Sequence, residues 1–118
     1  MKENTCSLHE IPQRFDHMPA LSEFEAIGQV FKLLGDATRV RLFWLLCHCE
    51  SCVLNLATQM EMSSPAISHH LKLLKASGLV TTHREGKEVV YRAADTEQVQ
   101  ELHHIIEKVV RITCPSNE

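Results

Sequence analysis

Three of the five cysteines in this 118-residue chain crowd into one short stretch, Cys47-His48-Cys49-Glu50-Ser51-Cys52. Thiolate sulfur with imidazole nitrogen close by is a ligand set for soft or borderline ions: zinc, cadmium, lead or trivalent arsenic as arsenite. An odd cysteine count does not make a disulfide framework, so metal or redox chemistry is the expectation for Cys47, Cys49 and Cys52. Cys6 and His9 are spaced as two ligands on one helical turn, and Cys114 adds a thiol near the C-terminus. Each has a plainer reading beside it. Free cysteine buries readily, and Cys47 ends an apolar helix face, where it would serve as packing. An inert arm would leave Cys6 and His9 without a role, and Cys114 would then be an exposed thiol.

A second group of residues suits anions. The chain is acidic overall, with 12 basic against 15 acidic residues and a net charge of −3. Between Ser63 and Arg92, however, five bases stand against two acids, a local +3 that leaves −6 for the rest. A basic stripe on an acidic body allows phosphates to meet only that stripe. Within it, Ser63, Ser64, Ser68, His69 and Lys72 supply short donors, an imidazole and a cation, groups that reach phosphates and base edges in a major groove. Arg84 and Lys87 flank Gly86 at a hairpin tip, within reach of flanking backbone. The plainer reading is that the serines cap a helix and one histidine packs inward; Ser63 or Ser64 is expected to cap, and His70 to be at least half buried. An enzyme finds no support, because no Ser or Cys nucleophile is paired with a spaced base and oxyanion loop, and no glycine-rich phosphate loop exists.

The elements that position these groups follow from periodicity. Residues 1–20 contain Pro12 and Pro19 with little pattern and read as a flexible arm; 21–114 read as one domain and 115–118 as a tail. From Ser22, Phe24, Ile27, Val30, Phe31 and Leu34 recur at helical spacing. Asp36 is placed to cap a helix from Ala37 to about Cys47, whose apolar face is predicted at Val40, Phe43, Trp44 and Cys47. A short helix over Val53–Met60 follows, with Leu54, Leu56, Ala57 and Met60 apolar. After a turn at Glu61-Met62-Ser63, a helix from Pro65 to Ser77 turns Ile67, Leu71 and Leu74 to the core, and Gly78 closes it. Leu79–Arg84 and Glu88–Arg92 read as two strands around Glu85-Gly86-Lys87. Asp95 or Thr96 caps a last amphipathic helix to about Thr113, with Val99, Leu102, Ile105, Ile106, Val109 and Val110 on its apolar side. No apolar run approaches the roughly 20 residues of a membrane span, and no secretory signal opens the chain, so a cytoplasmic protein is expected.

Helix, short helix, turn, helix and hairpin in that order make a winged helix-turn-helix: mainly α, with a small β-hairpin wing, an α+β fold. Three stretches carry a resemblance. Phe31 to Leu42 (FKLLGDATRVRL), Ser63 to Leu74 (SSPAISHHLKLL), and Gly78-Leu-Val with Arg84-Glu-Gly-Lys and Val-Tyr91 together resemble the ArsR/SmtB family of bacterial metalloregulators. The resemblance covers about residues 22–113. It implies a homodimer through the first and last helices, a double-stranded DNA operator, and a ligand whose binding releases the operator. Relatives that bind soft metals carry Cys-Val-Cys-Asp at the start of the short helix, where this chain has Cys52-Val53-Leu54-Asn55. One thiolate and the acid are absent, and Cys47 and Cys49, just upstream, would replace the thiolate if the loop bends back. In thiolate-sensing relatives an N-terminal arm completes the site across the dimer, the part that falls here to Cys6 and His9. A second family site, for zinc, cobalt or nickel, uses Asp-x-His and His-x-x-Glu on the last helix. Here it corresponds to Asp95-Thr96-Glu97 and His104-Ile-Ile-Glu107, with the second pair about one turn early; the alternative is that His103, His104 and Glu107 only solvate a helix face. Two rivals stand beside the metal-released repressor: a thiol-redox or sulfide sensor of the same fold, and a small metal carrier, which would need the cysteines but no basic helix.

Overall fold

The computed structural model describes residues 17–113, with side chains through Arg111. Eight elements run in the order α1 (Leu21–Leu34), α2 (Ala37–His48), β1 (Ser51–Cys52), α3 (Val53–Met60), α4 (Ser64–Ala76), β2 (Val80–Glu85), β3 (Glu88–Ala93) and α5 (Glu97–Thr113). The strands form one antiparallel sheet in the order β1-β3-β2, so the winged helix-turn-helix expected from the element order is present.

Local chemistry starts and stops the helices. The Asp36 carboxylate accepts from the Arg39 backbone N–H at 3.0 Å to open α2, and the Ser63 hydroxyl accepts from Ala66 N–H at 3.2 Å to open α4. At the start of α5 it is Thr96, not Asp95, whose hydroxyl accepts from Val99 N–H. The end of α4 is a Schellman turn: Leu79 N–H donates to the Leu74 carbonyl and Gly78 N–H to that of Lys75. Gly78 takes the left-handed φ of 85° that this turn requires. Leu79, 7% exposed, then packs beside the fully buried Leu74.

Burial corrects part of the predicted pattern. Ile67, Leu71 and Leu74 of α4 are fully buried as expected. In α2 the core face is Leu42, Phe43 and Leu46, while Val40, Trp44 and Cys47 are only half-buried. The helix is enclosed on two sides, by α4 and β3 on one and by α1 and α5 on the other, so a single-stripe reading chose its flank over its centre. Leu54, assigned to the apolar side of α3, is 65% exposed; Leu56, Ala57 and Met60 are buried. Strand β1 was not expected. Its two residues pair Ser51 with Tyr91 and Cys52 with Val90, and thereby tie the cysteine-rich segment to the inner strand of the wing. The wing turn is Gly86-Lys87, since Glu85 and Glu88 already face each other across the ladder. Gly86, with φ 65°, takes the first position of this two-residue turn, where a positive φ is demanded.

None of the residues of α1 is buried. Leu21, Phe24, Ile27 and Phe31 on α1, and Ile105, Val109 and Val110 on α5, are each between 43% and 73% exposed.

The α2 cap makes stability depend on pH. The Arg39 N–H bond, with help from the Arg39 charge, holds the Asp36 carboxyl below the ordinary carboxylate range. A carboxylate lowered by folding stabilises fully above its unfolded pKa, and that contribution is lost as pH falls through the folded value. Asp36→Asn keeps a capping oxygen but cannot ionise. Urea unfolding repeated from about pH 7 to about pH 3 is therefore expected to show a shallower acid loss in this variant than in the parent, in the range where carboxylates titrate; equal slopes would remove Asp36 from the acid transition.

Candidate nucleic-acid interface and metal-ligating groups

Helix α4 is two-faced. Ile67, Leu71 and Leu74 point into the core, and Pro65, Ser68, His69 and Lys72 are exposed on the opposite side, the i, i+3, i+4, i+7 spacing of one helical face. Ser63 spends its hydroxyl on the cap, and Ser64, the first helical residue, is half-buried. His70 turns inward as expected and is more than half buried. Its Nδ1 lies 3.2 Å from an Arg39 guanidinium nitrogen. Because guanidinium can only donate, Nδ1 must accept, which fixes the tautomer with its proton on Nε2. Arg39 also donates from Nε to the Leu33 carbonyl at 2.8 Å. These two bonds bridge α1 through α2 to α4, the helix that presents Ser68, His69 and Lys72, and no local pattern in the sequence marks them. Arg84 and Lys87 are exposed on the wing. No ion pair among the described residues engages Lys72, Arg84 or Lys87, so their charge faces solvent.

The cysteines are spread over three settings. Cys47 lies in α2 and is half-buried, Cys49 is the exposed C-cap of that helix, and Cys52 lies in β1 as the N-cap of α3; all three are free. Two groups of three convergent ligand atoms occur among the described residues, His48 with His103 and Glu107, and Glu50 with His83 and Glu85, and neither includes a cysteine. Burial, and next the Glu107 charge, push the Cys47 thiol up to about 11. Such a thiol is ionised to only about one part in ten thousand at pH 7, and the thiolate is the reactive form. Iodoacetamide at neutral pH is expected to label Cys49 well before Cys47, as followed by peptide mass spectrometry; Cys47 labelling first would contradict the burial.

The last-helix set is divided. Asp95 is exposed and accepts from Gln100 at 3.4 Å, and His104 is exposed with its ring 6.2 Å from that of His103. Glu107 turns inward, where its Oε2 accepts from the Trp44 indole N–H at 2.9 Å. That bond first, and the His103 and His48 rings after it, hold its carboxyl below the usual range against the effect of burial. Within one chain Asp95, His104 and Glu107 do not converge. His48 and His103, absent from the expected ligand set, do. The i, i+4 pair His103–Glu107 could be read from the sequence; its meeting with His48 could not. Cys6, His9 and Cys114 lie outside the described residues.

The family model described as "Bacterial regulatory protein, arsR family" matches residues 36–82, which span α2, α3, α4 and the start of β2. The Listeria innocua cadmium resistance transcriptional regulatory protein CadC is 33% identical over 90 residues, covering 75% of this chain and 76% of that protein. This chain belongs to the ArsR family. The Mycobacterium tuberculosis repressor SmtB is 35% identical over 92 residues, 78% of this chain. The chain spans 65% of SmtB's length. Among solved structures, the homodimeric winged helix-turn-helix DNA-binding domain of a Mycobacterium bovis protein superposes with a TM-score of 0.68 at 29% identity, covering 85% of this chain and 87% of that one. The family model describes regulatory proteins, and the matched relatives are named as transcriptional regulators. The matched segment contains the α4 face and its Arg39–His70 brace; Arg84 and Lys87 lie just beyond it. Among the described residues no helix is long and apolar enough to cross a membrane.

Proposed function

We propose that this chain is a dimeric transcriptional repressor that holds a twofold-symmetric operator through α4 and the wing and releases it when a thiolate-seeking ion binds. The observation that carries the reading is the exposed Ser68–His69–Lys72 face, opposite a fully buried core face and flanked by the exposed cations Arg84 and Lys87. Short donors and cations on a helix that fits a major groove are what base and phosphate contacts need. Dimerisation would cover the apolar residues of α1 and α5, whose exposure on a lone chain is unusual for a soluble protein. The two α4 helices would then meet half-sites about one helical turn, ~34 Å, apart. Support for the dimer comes from the homodimeric Mycobacterium bovis relative. Support for a metal signal comes from the CadC relative, a cadmium resistance regulator.

The inducing ion is assigned to Cys49 and Cys52, with Cys47 and the arm residues Cys6 and His9 completing the ligand set. Cadmium, lead, zinc and arsenite are the candidates that thiolates select. The test is a titration of reduced protein with each ion, following thiolate-to-metal absorption and the anisotropy of a labelled operator together. One ion is expected to bind and free the DNA, and Cys49→Ser with Cys52→Ser to abolish both. Release by oxidant in place of any ion would make this a thiol-redox sensor, and metal uptake without sequence-specific DNA binding would make it a carrier.

A further inference from the structure

The ends of α2 and α5 bring three ligand atoms together where the thiolate assignment uses none. His48 Nε2 lies 3.1 Å from His103 Nε2. Both face Glu107 Oε2, at 3.5 Å and 3.3 Å. An ion bonded at 2.0–2.1 Å in tetrahedral geometry holds its ligand atoms roughly 3.3–3.4 Å apart. The three atoms thus already stand close to the corners of one face of such a tetrahedron. In the absence of an ion the two imidazole nitrogens must share one proton, one donating and the other accepting. With an ion, both lone pairs and the carboxylate are satisfied at once.

The surroundings suit the same occupant. The Trp44 indole N–H donates to Glu107 Oε2 at 2.9 Å, an outer hydrogen bond of the kind that orients a ligating carboxylate. A polar cleft of about 390 Å³, lined in part by His48, Cys49, Asp95, Gln100 and His103, opens beside the cluster and supplies both an entry path and room for a water at the fourth position. We propose that His48, His103 and Glu107 form a site for a zinc-class divalent cation, held within one chain and using none of the thiolates as ligands. The ion clips the end of α2 to α5, across 55 residues of sequence. It therefore joins the helix that leads into the DNA-reading segment to the helix whose outer face bears Ile105 and Val109.

Cobalt(II) tests this in the full chain carrying Cys6→Ser, Cys49→Ser, Cys52→Ser and Cys114→Ser, which leaves only the half-buried Cys47. One cobalt per chain is expected, with ligand-field bands of a four-coordinate ion and no thiolate charge-transfer band. Trp44, the chain's single tryptophan, has its ring 4.1 Å from that of His48, so its emission is expected to change in step with binding. His103→Ala and His48→Ala are each expected to weaken cobalt on the order of 100-fold, since even outer-shell losses cost 10- to 100-fold, and His104→Ala to leave it unchanged. His48 has 45% of its side chain exposed, so His48→Gln serves as a variant that folds even if His103→Ala does not. No cobalt binding, binding that survives both His48 and His103 replacement, or binding lost equally with His104→Ala would overturn the site. None of these readouts depends on operator release or on cysteine, so the failure of either proposal is visible without the other.

Discussion

Alanine at both Ser68 and His69 is expected to collapse specific operator binding to the non-specific level without unfolding the protein. Both side chains are exposed and lie opposite the buried Ile67, Leu71 and Leu74, so their removal opens no cavity. Each good base-edge contact is worth about 1–3 kcal/mol, and a twofold dimer loses each one twice. The total, roughly 4–12 kcal/mol, is as large as the whole gap between specific and non-specific binding, about 4–10 kcal/mol. Anisotropy at fixed salt with cognate and scrambled duplexes reads this directly: the two isotherms are expected to coincide in the variant. Lys72→Ala is expected to behave differently, weakening both duplexes alike. If Lys72, Arg84 and Lys87 each meet a phosphate, the dimer neutralises six and log K falls with log salt at a slope near −5; losing Lys72 removes about 2 from that slope. A variant pair that retains discrimination would take base reading away from α4, and an unchanged slope would take Lys72 off the backbone.

Phe43→Ala is expected to cost about 3–5 kcal/mol, a large part of the 5–15 kcal/mol that holds a domain of this size folded. Phe43 is fully buried at the centre of α2, in the core shared with α3, α4 and the root of the wing. Truncating it leaves a cavity that the close-packed neighbours refill only in part. Leu54→Ala makes the control, because Leu54 is 65% exposed and surface changes usually stay within about 0.5 kcal/mol. Urea midpoints with an unchanged m-value are expected to separate the two variants clearly. Equal costs would mean that Leu54 is covered in solution, and the dimer would be the first surface to examine. The comparison has a functional side as well: Phe43 supports the helix on which Ser68, His69 and Lys72 are displayed, so loss of DNA binding in Phe43→Ala should follow the unfolded fraction, whereas loss in the Ser68 and His69 variant should not.

What was legible in the chain was whatever depends on neighbours in sequence. Caps at Asp36 and Ser63, the stop at Gly78, the hairpin around Gly86 and the buried Ile67, Leu71 and Leu74 of α4 are all decided within a turn or two of chain, where residue type and spacing act directly. Helix faces were legible only where one side is covered. In α2, enclosed on two sides, periodicity selected Val40, Trp44 and Cys47 where packing buries Leu42 and Leu46 beside Phe43. The apolar stripes of α1 and α5 were identified, but a stripe does not say whether its partner is the same chain or another. The two-residue strand β1 carries no alternation to detect and exists because β3 offers it a ladder. Arg39 reaches His70 across 31 residues and His103 reaches His48 across 55; such pairs have no local signature, because the free energy that brings them together is spent by the core between them. The sequence by itself therefore determined the five helices, the wing hairpin, their order and the buried face of α4. Only the folded chain decided that Glu107 would turn from the exposed side of α5 to Trp44 and the two histidines, since that choice rests on contacts no stretch of α5 contains.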